Sequence, residues 1–215
     1  MKFLLIGLGS MGKRRIRNLQ YLKAKHIVGF DTRFDRRNEA ERKYGITTVD
    51  DLRKLKMDDF DAIVISTPPD KHSVYIALAI KHSKPAFVEA SVVLGDLEKL
   101  NRAAAKKKIF IAPSCTLRFL PSIQTIKGLV HGGKYGKVTN FSYHCGLYLP
   151  DWHPWEKVTD YYVSKKETGA AREIVPFELT WLCDIVGTPK RVTAYRASTM
   201  IVGAPIDDTY AIAMD

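Results

Sequence analysis

The 215-residue chain lacks any apolar run approaching the roughly 20 residues that a membrane-spanning helix needs. Residues 1–7 superficially resemble a secretory leader. Their apolar stretch is short, however, and it runs into Lys13-Arg14-Arg15 without a small-residue cleavage site. The expectation is therefore a first β-strand in a cytoplasmic protein with no membrane partner. Cysteine is scarce: Cys115, Cys145 and Cys183 are odd in number and far apart, without metal-type pairing, so free thiols and no metal site are expected. Acidic residues are outnumbered, 23 Asp and Glu against 34 Lys and Arg, giving a net charge of +11. The basic clusters at 13–17, 33–37, 53–56 and 106–108 carry no interleaved aromatics of the kind that stack bases. Solvated helix faces and phosphate-bearing small ligands account for the excess better than a nucleic-acid groove.

What is present is a core-forming composition, 46% apolar, enough for one or two domains. Residues 2–17 read K-F-L-L-I-G-L-G-S-M-G-K-R-R-I-R. The continuous apolar run at 3–6 is the pattern of a strand buried on both faces of a parallel sheet. Gly7, Gly9 and Gly12 follow at the spacing G-x-G-x-x-G. In a dinucleotide fold the first glycine permits the tight turn, the second lets backbone approach a pyrophosphate, and the third lets the helix pack on its strand. The pyrophosphate then rests on the helix N-terminus. Asp31, nineteen residues after Gly12, closes a second apolar run at 27–30. A carboxylate there can accept both hydroxyls of an adenosine ribose and repel a 2′-phosphate, which favours NAD over NADP. Arg33, two residues on, offers a 2′-phosphate a partner and softens that preference.

Strands at 46–49, 61–65, 85–89 and 109–112 alternate with helices at 36–44, after Pro69, and at 96–107, the rhythm of a doubly wound α/β domain over residues 1–113. Gly45 stops the first of these helices, and the one after Pro69 carries Val74, Ala77, Leu78, Ala79 and Ile80 on one face. Residues 114–215 read differently. A helix at 119–131 precedes strand-like residues 137–149, an aromatic, proline-punctuated loop at 151–163, a helix at 169–185 with Trp181, Leu182 and Ile185 at core spacing, and strands at 191–200 and 208–214. Pro176 can sit in that helix's first turn or kink it. The expectation is an α+β domain with a mostly antiparallel open sheet, truncated because the chain stops inside a strand.

These landmarks resemble the glucose–fructose oxidoreductase / inositol dehydrogenase / MocA family. The matching segments are G-L-G-S-M-G at 7–12, Asp31, S-T-P-P-D-K-H at 66–72, Glu89, R-F-L-P at 118–121, G-K-Y-G-K-V at 133–138 and Y-L-P-D-W-H-P at 148–154. The resemblance implies an N-terminal Rossmann domain binding NAD(P), a C-terminal sheet for substrate and homo-oligomer contacts, and hydride transfer at a sugar, sugar-nucleotide or polyol carbon. It also implies that Ser10, Met11, Ser66, Thr67, Pro68, His72, Glu89 and Arg118 join Gly7, Gly9, Gly12, Asp31 and Arg33 at the cofactor.

The departures fall on the chemistry. Glu89-Ala90-Ser91 stands where the family has Glu-Lys-Pro, and Phe177 stands where a proton-moving histidine falls. Neither alanine nor phenylalanine moves a proton. Substitutes are Glu173, beside the lost histidine and needing a pKa raised by Ile174, Val175 and Phe177, then His153, Glu178 and Lys166. Two readings stand: an oxidoreductase with an altered proton relay, or a nucleotide- or sugar-binding protein without turnover.

Overall fold

The run at 3–6 forms β1 (Lys2–Ile6), in which Leu4, Leu5 and Ile6 are fully buried. Successive side chains of a strand face opposite ways. Leu4 and Ile6 accordingly join one core with Phe30, Ile63, Ile65, Ile76 and Val88, while Leu5 joins another with Leu8, Ile16, Ile27 and Val64. Each such residue contributes about 1.5–3 kcal/mol on burial, so a charge at Leu4 or Ile6 would disrupt the first core and a charge at Leu5 the second. The computed structural model describes residues 1–90 and 93–215. Ser91, part of the departure after Glu89, lies outside the described residues.

From β1 the chain continues through α1 (Ser10–Tyr21), β2 (His26–Phe30), α2 (Phe34–Tyr44), β3 (Thr47–Val49), β4 (Ala62–Ile65), α3 (His72–Lys81), β5 (Ala86–Val88), α4 (Leu97–Lys106) and β6 (Ile111–Pro113). The six strands pair in parallel in the order β3-β2-β1-β4-β5-β6. This is the doubly wound Rossmann arrangement, with the strand order reversing between β1 and β4. Gly45 ends α2 in the left-handed conformation (φ 64°) and donates its N–H to the Glu41 carbonyl. Asp51 caps the short turn at Leu52–Lys54 by accepting the Arg53 N–H. The buried face of α3 is His72, Ile76, Ala79 and Ile80, spaced i, i+4, i+7, i+8; Val74 and Ala77 point to solvent, which corrects the face read from sequence.

The chain divides into two compact units, Met1–Ser114 and Cys115–Asp215. The second contains α5 (Pro121–His131), α6 (Leu149–Trp152), α7 (Ala170–Val186), β7 (Val192–Ala197) and β8 (Thr209–Met214). Pro121 occupies the first turn of α5, where a missing N–H costs nothing, so the helix starts two residues later than expected. Pro176 lies inside α7, past its first turn, so the Arg172 carbonyl has no helical N–H to accept there. Trp181, Leu182 and Ile185 are buried against Leu117, Ile123 and Val130. β7 and β8 pair antiparallel, from Val192 opposite Met214 to Ala197 opposite Thr209.

Residues 137–148 form no strand. Their aromatic alternation serves helix packing instead: Phe141 and Tyr143 meet Trp181 of α7 edge-on, at 6.3 and 5.2 Å between ring centres. The loop at 151–163 holds part of α6 and short turns at Val158–Asp160 and Tyr162–Ser164, fixed by a cluster of Leu149, Val158, Val163, Ala204 and Ile206.

Candidate functional site

In-register pairing brings the residues that follow each strand of the first sheet into one row. Ile6 stands opposite Phe30 and Ile65, Ile65 opposite Val88, and Val88 opposite Pro113. Gly7, Asp31, Ser66, Glu89 and Ser114 therefore line the carboxyl edge, and their N–H groups continue the ladder onto Phe30, Val49, Ile6, Ile65 and Val88. In open α/β sheets ligands bind at this edge, where the strand order reverses.

The three glycines have different reasons. A Cβ on Gly7, at φ 92°, would lie 2.5 Å from the Ser66 carbonyl oxygen, and one on Gly12 would lie 1.9 Å from the Gly7 oxygen. Strand–helix packing demands both. A Cβ on Gly9 would meet nothing nearer than the Arg36 guanidinium at 3.6 Å. Protein packing does not require a glycine there, and the missing side chain leaves room for a ligand to approach the backbone. Gly9 also caps α1 without a side-chain hydrogen bond, and no acidic residue stands in the first turn. The first helical bond runs from Lys13 N–H to the Gly9 carbonyl, so the N–H groups of Ser10, Met11 and Gly12 have no intrahelical acceptor. Exposed Ser10 and Met11 and the Gly9 opening leave this helix N-terminus accessible, an arrangement whose chemistry fits an anion.

Asp31 is buried at the end of β2, where Oδ2 accepts the Leu8 N–H (2.8 Å) and Oδ1 the Arg33 N–H (2.9 Å). The carboxylate thus ties the glycine loop to β2, and each oxygen keeps a further lone pair for a ribose hydroxyl. Arg33 binds Asp35 through Nε (3.0 Å) and Nη2 (2.6 Å). Arg37 donates to the Asp31 and Thr32 carbonyls. Arg36 lies 3.6 Å from Asp31 Oδ2.

At the far side of the row, the Arg15 guanidinium of α1 grips Glu89 with two parallel bonds, reaches Ser114 Oγ at 3.3 Å and lies over the Phe87 ring. Ser66 Oγ sits 3.4 Å from Glu89 Oε1. His72 is 1% exposed and donates from Nε2 to the Thr67 carbonyl (2.8 Å), locking the turn after β4; burial pushes its pKa down. Thr67 Oγ1 is buried with no hydrogen-bond partner among the described residues, and Pro68 beside it is exposed. Arg15 and Arg36 escaped the sequence reading. For Arg15 the available signal was its position one helical turn after Gly12.

In the second unit, Glu173 of α7 is half-buried and accepts the Tyr162 hydroxyl at Oε2 (2.7 Å). His153 donates from Nδ1 to Glu156 (2.9 Å), and its ring is stacked between Trp155 and Tyr161. Glu178 accepts the Tyr143 hydroxyl (2.8 Å) and the Trp181 indole N–H (2.6 Å), so its carboxylate fastens the 141–145 segment to α7. Desolvation and that hydrogen bond push the Tyr143 pKa up. Lys166 is exposed. Arg118 and Lys127 converge on Asp184, whose carboxyl they hold below its ordinary range. No described helix is long and apolar enough to cross a membrane.

Comparison with known proteins supplies the family. A comparison with curated proteins returned no match. An oxidoreductase from Agrobacterium radiobacter, solved with NAD+, L-tartaric acid and magnesium, superposes with a TM-score of 0.86 at 21% identity, over 100% of this chain and 63% of its own. The WlbA dehydrogenase from Bordetella pertussis, solved with NADH and UDP-GlcNAcA, gives 0.80 at 17%, over 100% and 65%. A putative myo-inositol dehydrogenase from Sinorhizobium meliloti gives 0.77 at 20%, over 100% and 65%. These likenesses establish the fold, and this chain spans under two thirds of each of those chains. Residues 1–113, more than half of the 215, match the model of an oxidoreductase family with an NAD-binding Rossmann fold. The chain belongs to that family, Gfo/Idh/MocA.

Proposed function

We propose that this chain is an NAD(P)-dependent oxidoreductase acting on a sugar, sugar nucleotide or related polyol, with NAD the favoured cofactor. The observation that carries the reading is the Gly9 opening, where α1 begins without a side-chain cap, two residues past Gly7 in the row that holds buried Asp31. Residues 1–113 hold the cofactor: the N–H groups of Ser10, Met11 and Gly12 meet its pyrophosphate, and Asp31 meets the adenosine ribose. Ser66, Thr67, Pro68 and Glu89 line the same edge further along. Residues 114–215 form the substrate and oligomer part. A homo-oligomer built on the C-terminal sheet suits β7 and β8, which expose Val192, Tyr195 and Met214. The relatives solved with UDP-GlcNAcA and with L-tartaric acid support a hydroxyl-bearing substrate. A cytoplasmic location suits such chemistry.

When bound, the nicotinamide supplies hydride chemistry at a substrate carbon. The protein's part is to hold a proton at the substrate oxygen, because an alkoxide at neutral pH is too costly. Glu173 is the proposed base. Tyr162 donates to its Oε2 and orients the carboxylate, which takes the hydroxyl proton. His153 and Lys166 are the alternatives on the preceding segment. Glu178 is a weaker one, since its carboxylate is engaged by Tyr143 and Trp181.

A second reading, binding without turnover, is favoured by Ala90 and Phe177, neither of which can move a proton. The two separate when the protein is mixed with NAD(H) and a panel of sugars, sugar nucleotides and polyols. Change at the nicotinamide absorption band supports the enzyme, and cofactor binding with no turnover across the panel supports the binding protein.

A further inference from the structure

We propose that Arg36, rather than Arg33, is the residue that lets this pocket accept a dinucleotide carrying a 2′-phosphate, so that NADP binds alongside NAD. The inference rests on the dinucleotide reading above. Three arginines follow Asp31 closely, and the structure gives them different work. Arg33 is clamped by Asp35 through two hydrogen bonds, and the guanidinium holds the Asp35 carboxyl down at about 2. Arg37 is spent on the carbonyls of Asp31 and Thr32, closing the end of β2.

Arg36 stands elsewhere. Its Nη1 lies 3.6 Å from Asp31 Oδ2, a Coulombic contact too long for a hydrogen bond. The same nitrogen lies 3.6 Å from the point a Gly9 Cβ would occupy. The guanidinium therefore spans the interval between the pyrophosphate turn and the ribose carboxylate, on a side chain about one third exposed and able to adjust.

A 2′-phosphate arriving at Asp31 meets a carboxylate that repels it and, 3.6 Å from that carboxylate, a guanidinium that attracts it. The positive charge offsets the repulsion, and the planar fork adds paired hydrogen bonds to phosphate oxygens that it cannot make to a ribose hydroxyl. NAD gains less from Arg36, because its 2′-hydroxyl is served by Asp31. Removing Arg36 leaves the repulsion unopposed, whereas removing Arg33 releases Asp35 instead.

The test titrates the purified chain with NADH and with NADPH, following reduced-nicotinamide fluorescence, for wild type, Arg36→Gln, Arg36→Lys and Arg33→Gln. We expect NADPH to bind wild type within about tenfold of NADH. Arg36→Gln should weaken NADPH by about 30-fold or more and NADH by about threefold or less, as expected when one bidentate guanidinium–phosphate pairing is removed. Arg36→Lys, which keeps the charge without the fork, should fall between. Arg33→Gln should change the NADPH-to-NADH ratio less than Arg36→Gln does, since Arg33 is engaged by Asp35. An unchanged NADPH-to-NADH ratio in Arg36→Gln, or a loss of NADPH in Arg33→Gln instead, overturns the inference while the dinucleotide reading stands. Wild type binding NADH but NADPH over a hundredfold more weakly, beyond what one repelling carboxylate opposed by Arg36 allows, overturns it equally. Wild type binding neither dinucleotide removes the reading and the inference together.

Discussion

The Arg15 guanidinium donates from Nε to Glu89 Oε1 at 2.6 Å and from Nη2 to Glu89 Oε2 at 2.8 Å, across 74 residues of sequence. Both side chains are about seven-eighths buried, at 13% and 12% exposure. The pair ties the helix of the glycine loop to the end of β5, and through Ser114 to the end of β6. It stands beside Ala90, where the family pattern has a lysine.

Cutting one side of that pair leaves a largely buried charge without the opposite charge that offsets its burial. Arg15→Met should destabilise the first unit by about 2–3 kcal/mol. Pairing it with Glu89→Leu should restore much of the loss, since no charge is then stranded. Urea midpoints of wild type, both single variants and the double variant give the coupling. Additive losses would show that the two side chains stabilise the fold independently.

His72 links stability to pH. Burial lowers its folded pKa below the 6.5 of an ordinary histidine, so the unfolded chain binds the proton first as pH falls. Stability present at neutral pH should therefore decline as pH drops below about 6.5, by up to about 1.4 kcal/mol per pH unit. His72→Gln should flatten the part of the decline that belongs to this ring. Urea midpoints between neutrality and pH 5 measure it, and identical slopes in both proteins would assign the effect to another histidine.

Glu173→Gln tests the proton relay. Loss of a general base costs about 10²–10⁴-fold in rate, and the variant should show that loss on a turned-over substrate with NADH affinity unchanged. The amide can still accept the Tyr162 hydroxyl bond, so the fold should hold. Near-full turnover in the variant would move the role to His153 or Lys166.

Much of the first unit could be read in advance, because most of its strands are short apolar runs ended by a polar or glycine residue. Gly7, Asp31, Ser66 and Glu89 were legible for that reason: each is the residue after such a run. The Arg15–Glu89 pair was not, since it depends on a sheet order that local pattern does not encode. The different engagements of Arg33, Arg36 and Arg37 were hidden too, because they turn on where α2 begins. With Phe34 as its first residue, Arg36 reaches back toward Gly9 while Arg33 stays outside, beside Asp35. Residues 137–149 were misread for a different reason. Val, Thr, Phe and Tyr report an extended, half-buried surface, and a ladder partner is a tertiary fact; here Phe141 and Tyr143 found Trp181 instead.

A dinucleotide cradle at the glycine loop leaves no room for a side chain at Gly9. A side chain there occupies ligand space while meeting only the Arg36 side chain at 3.6 Å, whereas one on Gly12 would drive into the Gly7 backbone at 1.9 Å. The measurement is NADH affinity by fluorescence titration, with thermal midpoints alongside, for wild type, Gly9→Val and Gly12→Ala. Gly9→Val should lose about a hundredfold or more in affinity with its midpoint close to wild type, as a blocked pyrophosphate site predicts. Gly12→Ala should lower the midpoint itself, because an added methyl with no room strains the packing by about 1–3 kcal/mol or more. Gly9→Val binding NADH as tightly as wild type would contradict the dinucleotide account of the whole first unit.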